Sequence, residues 1–196
     1  MRYNKEMKLT KEQIEVLQND LPNKLKQFQQ DYCSSSDELP IDIFKISDRM
    51  GFDVYYGDIG NYEGAMLVDE SVKFIDGFDT NKILVVNSKL SYRASVFTLA
   101  HELAHFLVYR WLNPEKRLQI EFREHSKKGE RDETENFIDF IAASILMPED
   151  IFKSNLAQQG ITTKTQDVSA EIIDTIAQRF DVEYEAAKRR IGEVLQ

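Results

Sequence analysis

Two histidines and a glutamate, His101, Glu102 and His105, stand in the order His-Glu-x-x-His. They lie within the run Ser95-Val96-Phe97-Thr98-Leu99-Ala100-His101-Glu102-Leu103-Ala104-His105-Phe106-Leu107. The run is largely apolar and has neither glycine nor proline, which predicts a helix. Residues four apart lie one turn above one another on a helix, so both imidazoles can reach one metal ion. Glu102 projects about 100° round the same helix, beside such an ion, where a base for a polarised water belongs. Neutral imidazoles suit Zn2+, and two protein nitrogens leave room for a third ligand and a water. The bland alternative is two packed core histidines and a solvated glutamate. Against it, the chain has three histidines in all, and two of them stand here.

A third ligand is expected downstream. Glu135 follows His105 by 30 residues, in a segment from about Asp132 to Met147-Pro148. There Ile138, Ile141, Ala142 and Ile145 form an apolar helical stripe, and Glu135 and Asp139 share a face. A carboxylate on an apolar helix is costly unless it is paired or ligates a cation. Glu135 is the expected third zinc ligand, and Asp139 is expected to hold the distal N–H of a ligating histidine. In the alternative, both carboxylates face water. His125, Tyr62 and Tyr109 are the candidates for stabilising a transition state, with no signal to choose among them.

The elements that must position these residues are legible in outline. A first helix is expected over residues 10–32, capped by Thr10 with Gln13 closing a capping box; Pro22 is expected to break or kink it. A short helix follows over residues 42–50 and ends at Gly51. Then the period changes to that of strands: Phe52–Tyr56, Gly64–Asp69, Val72–Ile75 and Lys82–Asn87, separated by turns. Short strands with tight turns predict a small antiparallel sheet, on which the helix from Ser91 to Arg110 or Trp111 should pack. The apolar girth of that helix predicts protein on several sides. Residues 113–134 are densely charged and read as a surface loop, either a solvated linker or a rim over the site. Beyond Pro148, helical segments are expected over 150–158, 168–180 and 183–195.

Composition bounds the function. The net charge of −9 disfavours nonspecific nucleic-acid binding. The segment Ile176-Ala177-x-x-Phe180-Asp181-Val182-x-x-x-Ala186 has a helix-turn-helix cadence, but residues 166–196 carry net negative charge, so helical packing is the preferred reading. Lys188-Arg189-Arg190 reads as a complement to a helix dipole. The lone cysteine, Cys33, excludes an internal disulfide and fits a reducing cytoplasm; it is expected to be a chemical bystander. Neither a signal peptide nor a membrane span is expected, so the predicted location is cytoplasmic. The expected organisation is a helical extension over 1–36, a metallopeptidase-like domain over 37–160, and a C-terminal helical segment over 161–196 packed on it. The fold class is α+β.

Phe97-Thr98-Leu99-Ala100-His101-Glu102-Leu103-Ala104-His105, followed by Glu135-x-x-x-Asp139-x-x-Ala142-Ala143-x-Ile145-Leu146-Met147-Pro148, resembles the ImmA/IrrE metallopeptidase family. The likeness covers roughly residues 40–190. It departs from the family pattern at Ala104, where glycine is usual, and over Ile138–Ile141, where Ala-Asn-x-Phe is usual. The resemblance implies zinc, held by His101, His105 and Glu135, with Glu102 as general base. It also implies a protein substrate, a helix-turn-helix repressor encoded nearby, often in a mobile genetic element. The expected function is zinc-dependent hydrolysis of a peptide bond in such a regulator. The rival is a zinc-containing binding protein that sequesters the regulator without cutting it.

Overall fold

The computed structural model describes residues 8–33, 39–125, 133–163 and 167–195, with residues 121–125 described by their backbone alone. Among these, the order is α1 (Lys11–Tyr32), α2 (Ile43–Arg49), β1 (Asp53–Gly57), β2 (Tyr62–Asp69), β3 (Lys82–Asn87) and α3 (Tyr92–Leu112). Then come β4 (Gln119–His125), α4 (Glu133–Leu146), α5 (Glu149–Gln158), α6 (Ala170–Phe180) and α7 (Tyr184–Val194). This is an α+β fold: a four-stranded sheet with helices packed against it.

The helix starts follow from side-chain oxygens that accept backbone N–H groups left over at a helix N-terminus. Thr10 and Gln13 form the expected capping box, at 3.2 Å and 2.9 Å. Asp42 caps α2, Ser91 caps α3 and Ser169 caps α6. Pro22 does not break α1, which runs on to Tyr32. An interior proline costs roughly 3 kcal/mol. Burial of Ile14, Leu17, Leu21 and Phe28 offsets it, at about 1.5–3 kcal/mol for each side chain.

The strand order is β1-β3-β2-β4. β2 runs antiparallel to both neighbours, but β1 pairs parallel with β3, Asp53 opposite Ile83 and Gly57 opposite Asn87. The sheet is therefore mixed rather than wholly antiparallel. Two further expectations fail here. Val72–Ile75 is not a strand: Asp69 takes the chain out of the sheet by accepting from the Ser71 N–H at 3.0 Å and the Ser71 hydroxyl at 2.5 Å. Residues 119–125, read as loop, are instead an edge strand paired with β2 from Asp69–Gln119 to Tyr62–His125. In the sequence, Ile120 and Phe122 alternate with charged residues, the period of two that a strand requires.

One contiguous apolar core extends from Ile14 and Leu17 of α1 through Met66, Leu84, Leu99, Leu103 and Ile141 to Ile191 and Val194 of α7. α3 crosses its middle, packed on β2, β3, α2 and α4. From Ser95 to Val108 every residue of α3 except Phe97 is buried. Among the described residues no helix is long and apolar enough to cross a membrane.

Candidate metal centre

α3 presents two different faces to its neighbours. Thr98 and Glu102, one turn apart, face β2 at Gly64. A Cβ added to Gly64 would lie 2.6 Å from Thr98 Cγ2 and 2.7 Å from Glu102 Oε1. Only a residue without a side chain lets helix and strand approach this closely. Glu102 is 0% exposed, so the strand backbone holds its carboxylate in a dry place.

His101 and His105 point a quarter-turn away, where Glu135 of α4 meets them. His105 Nε2 lies 3.0 Å from His101 Nε2. Glu135 Oε2 lies 3.3 Å from His101 Nε2 and 3.6 Å from His105 Nε2. The three tips form a triangle with these sides. A tetrahedral zinc ion with metal–ligand distances near 2.0–2.1 Å separates its ligand atoms by about 3.3–3.4 Å. The triangle has that size, and two imidazole nitrogens with one carboxylate oxygen are a donor set that zinc takes. Both histidines are buried, whereas the Glu135 side chain is one-fifth exposed and marks the open side of the cluster.

Asp139, one turn after Glu135 on α4, completes the arrangement. Its Oδ1 lies 2.9 Å from His101 Nδ1. A carboxylate can only accept there, so Nδ1 carries the proton and Nε2 presents its lone pair to the cluster. Asp139 Oδ2 accepts from Arg189 Nη1 of α7 at 3.2 Å. Charges shift accordingly. Burial pushes the His105 imidazole down to about 4, with Glu135 opposing that shift and the neighbouring His101 adding to it. Burial would raise Glu135, but the close contacts with the His101 and His105 rings outweigh it and hold the carboxyl below its ordinary range. A neutral imidazole beside an ionised carboxylate is the protonation state a cation needs.

The structure thus brings together His101, His105, Glu135 and Asp139, with Glu102 on the adjoining face of the same helix. Tyr62 heads β2 opposite His125, whose side chain lies outside the described residues, and Tyr109 sits one turn beyond His105. Cys33 is half-buried, which pushes its thiol up, away from reactivity. Two residues gain importance that their local sequence did not give them. Gly64 carried a usable signal, because glycine within a strand marks close backbone approach. Arg189 carried none: α7 has no basic residue in its last turn, so Arg189 is not a dipole complement but a donor to a carboxylate 50 positions away.

No curated protein registers as a relative of this chain. Among solved structures, the chain is similar to a Mycobacterium tuberculosis transcriptional regulator at 17% identity, with a TM-score of 0.49 over 92% of this chain. It spans about half the length of that protein, 51%. Residues 47–192 match the IrrE N-terminal-like domain of peptidase family M78, a stretch that contains every residue of the cluster and the strand behind it. A match over that much of the chain places it: the protein belongs to the IrrE N-terminal-like family of M78 metallopeptidases.

Proposed function

We propose that the protein is a zinc-dependent endopeptidase that cuts a peptide bond in a regulatory protein, a helix-turn-helix repressor, in the cytoplasm. The observation that carries this reading is the triangle of His101, His105 and Glu135 atoms, sized for one tetrahedral ion, with both histidines on the helix that also bears Glu102 and Glu135 reaching in from α4. His101, His105 and Glu135 would hold the metal. When bound, zinc lowers the pKa of water and polarises the carbonyl under attack.

The chain's own residues supply the rest. Glu102 takes the proton of the attacking water and passes it to the departing amine. Its dry seat against Gly64 fixes where that proton is received. Asp139 fixes the ring of His101 through Nδ1, so the ligating nitrogen is aimed before any ion arrives. No side chain is acylated; water attacks directly, and the peptide bond yields a carboxylate and an amine. Family membership and the motif resemblance support a peptide substrate and a regulator as its source.

The experiment pairs the wild type with Glu102→Gln, coexpressed with a repressor encoded beside the gene, and follows the repressor by intact mass. Zinc content is measured on both proteins. A fragment with the wild type alone, both proteins being loaded with zinc, is the expected result. A repressor bound but intact with both would replace cleavage by sequestration.

A further inference from the structure

We propose that Arg189 is a positioning residue of the metal centre, clamping Asp139 from the C-terminal helix so that Asp139 fixes the ring of His101. The inference rests on the metal-centre reading above. It is carried by a continuous chain of contacts running from α7 to the cluster. Asp139 divides its two oxygens: Oδ1 lies 2.9 Å from His101 Nδ1, and Oδ2 takes Arg189 Nη1 at 3.2 Å. Asp139 is 1% exposed, so its charge sits away from water, and the Arg189 guanidinium places positive charge against its Oδ2.

Arg189 is itself held. Its Nε donates to Glu193 Oε1 at 3.1 Å, so one planar fork bridges two carboxylates. Glu193 also accepts from Arg190 Nη1 at 3.2 Å. Arg190 is buried, donates through Nε to the Met147 carbonyl at 3.2 Å and lies over the Phe140 ring at 5.4 Å. The Met147 carbonyl lies just past the end of α4, where carbonyls lack helical partners. Arg190 therefore pins α7 to the end of α4, Glu193 transmits that position to Arg189, and Arg189 transmits it to Asp139. Taking Arg189 away removes a charged donor from Oδ2 and loosens the orientation of the carboxylate against the imidazole. The expected loss is in metal affinity, because outer partners of a ligating histidine tune how well its nitrogen is aimed.

The test uses the full chain. Zinc affinity is measured by chelator competition, and Co2+ is used as a spectroscopic probe of the ligand set. Arg189→Met is expected to weaken zinc binding about tenfold, the lower end of outer-partner effects, and to shift the Co2+ d–d bands. Arg189→Lys, which keeps the charge and loses the fork, is expected to fall between. Arg93→Ala is the control: it breaks the 3.1 Å pair with Asp181 that ties the α6–α7 turn to α3, without touching Asp139. It should keep wild-type affinity and spectrum. In an Asp139→Asn background, Arg189→Met should cost nothing further, since the two act in one chain. Arg189→Met with wild-type affinity and spectrum overturns the inference, as does Arg93→Ala weakening zinc equally. A wild type that binds neither metal refutes the metal centre itself, an outcome distinct from both.

Discussion

Gly64→Ala is a one-methyl change that the structure forbids for a stated reason. The new Cβ would sit 2.6 Å from Thr98 Cγ2, 2.7 Å from Glu102 Oε1 and 3.2 Å from Glu102 Cγ, against ordinary contacts of 3.4–4 Å. Three neighbouring atoms must therefore give way, the closest by about 0.8 Å, the gap between 2.6 Å and 3.4 Å. Thr98 and Glu102 are 4% and 0% exposed, so neither can swing into solvent. Two effects oppose each other. Alanine reduces the entropy of the unfolded chain, which stabilises by about 0.4–1 kcal/mol. Overpacking of a close-packed interior costs about 1–3 kcal/mol. The second wins, and the variant should lose about 1–2 kcal/mol, a fall in Tm of some 2–8 °C for a chain of this size. The strain falls on Glu102, so cleavage should drop by up to about 10²-fold, the cost of misplacing a catalytic group by an ångström, while zinc remains bound. The assays are urea unfolding, zinc content and cleavage of the coexpressed repressor. Gly192 is the internal comparison: it lies in α7 with nothing within 4 Å of an added Cβ, so Gly192→Ala should stabilise by about 0.5–1 kcal/mol. A Gly64→Ala protein as stable as the wild type, with full activity, would refute the reasoning.

Glu135→Gln should lower zinc affinity by more than the roughly 10–100-fold seen for outer partners, because it removes the proposed anionic ligand; chelator competition measures it. The zinc-free protein should be labile to acid. The His105 imidazole has a folded value of about 4 against 6.5 unfolded, so between those values the unfolded chain binds more protons. That contribution to stability is complete above pH 6.5 and is lost as pH falls toward 4. Glu135 has the same sign: held below its ordinary 4.5, it contributes above that pH and loses its contribution below it. Denaturant unfolding of the chelator-treated protein at pH 7.5 and pH 5 should show lower stability at the acid value, and equal stability would contradict the His105 assignment; the Glu135 contribution is read by carrying the series below pH 4.5.

The candidate site was legible because much of it is local. His101, Glu102 and His105 lie within five consecutive residues, and helical periodicity alone decides which of them share a face. Glu135 and Asp139 were legible for a related reason: two carboxylates one turn apart on an apolar stripe call for a cation or a partner. The capping box at Thr10 depends on hydrogen bonds between residues three apart and was readable in the same way. Nonlocal pairing was not. Alternation marks Phe52–Tyr56 as strand-forming, but nothing within it says that β1 should pair parallel with β3 rather than with β2, which follows it in the chain. The charged residues 119–125 look like a loop because an edge strand may keep polar side chains on its wet face; only the free edge of β2 makes them a strand. Val72–Ile75 fails in the opposite sense, since β-prone residues form no strand where Asp69 has already turned the chain away.

Glu102's seat and the far side of His101 were decided by the tertiary fold alone. Gly64 meets Glu102 across 38 positions, and Arg189 meets Asp139 across 50, distances over which no periodicity carries information. The candidate pair His101 and His105 and the helix that presents it can be read from residue spacing, because they depend on 3.6 residues per turn. Tertiary packing sets how dry Glu102 is and what stands behind His101. Those depend on which surfaces meet, and burial is a property of the packed whole rather than of any segment.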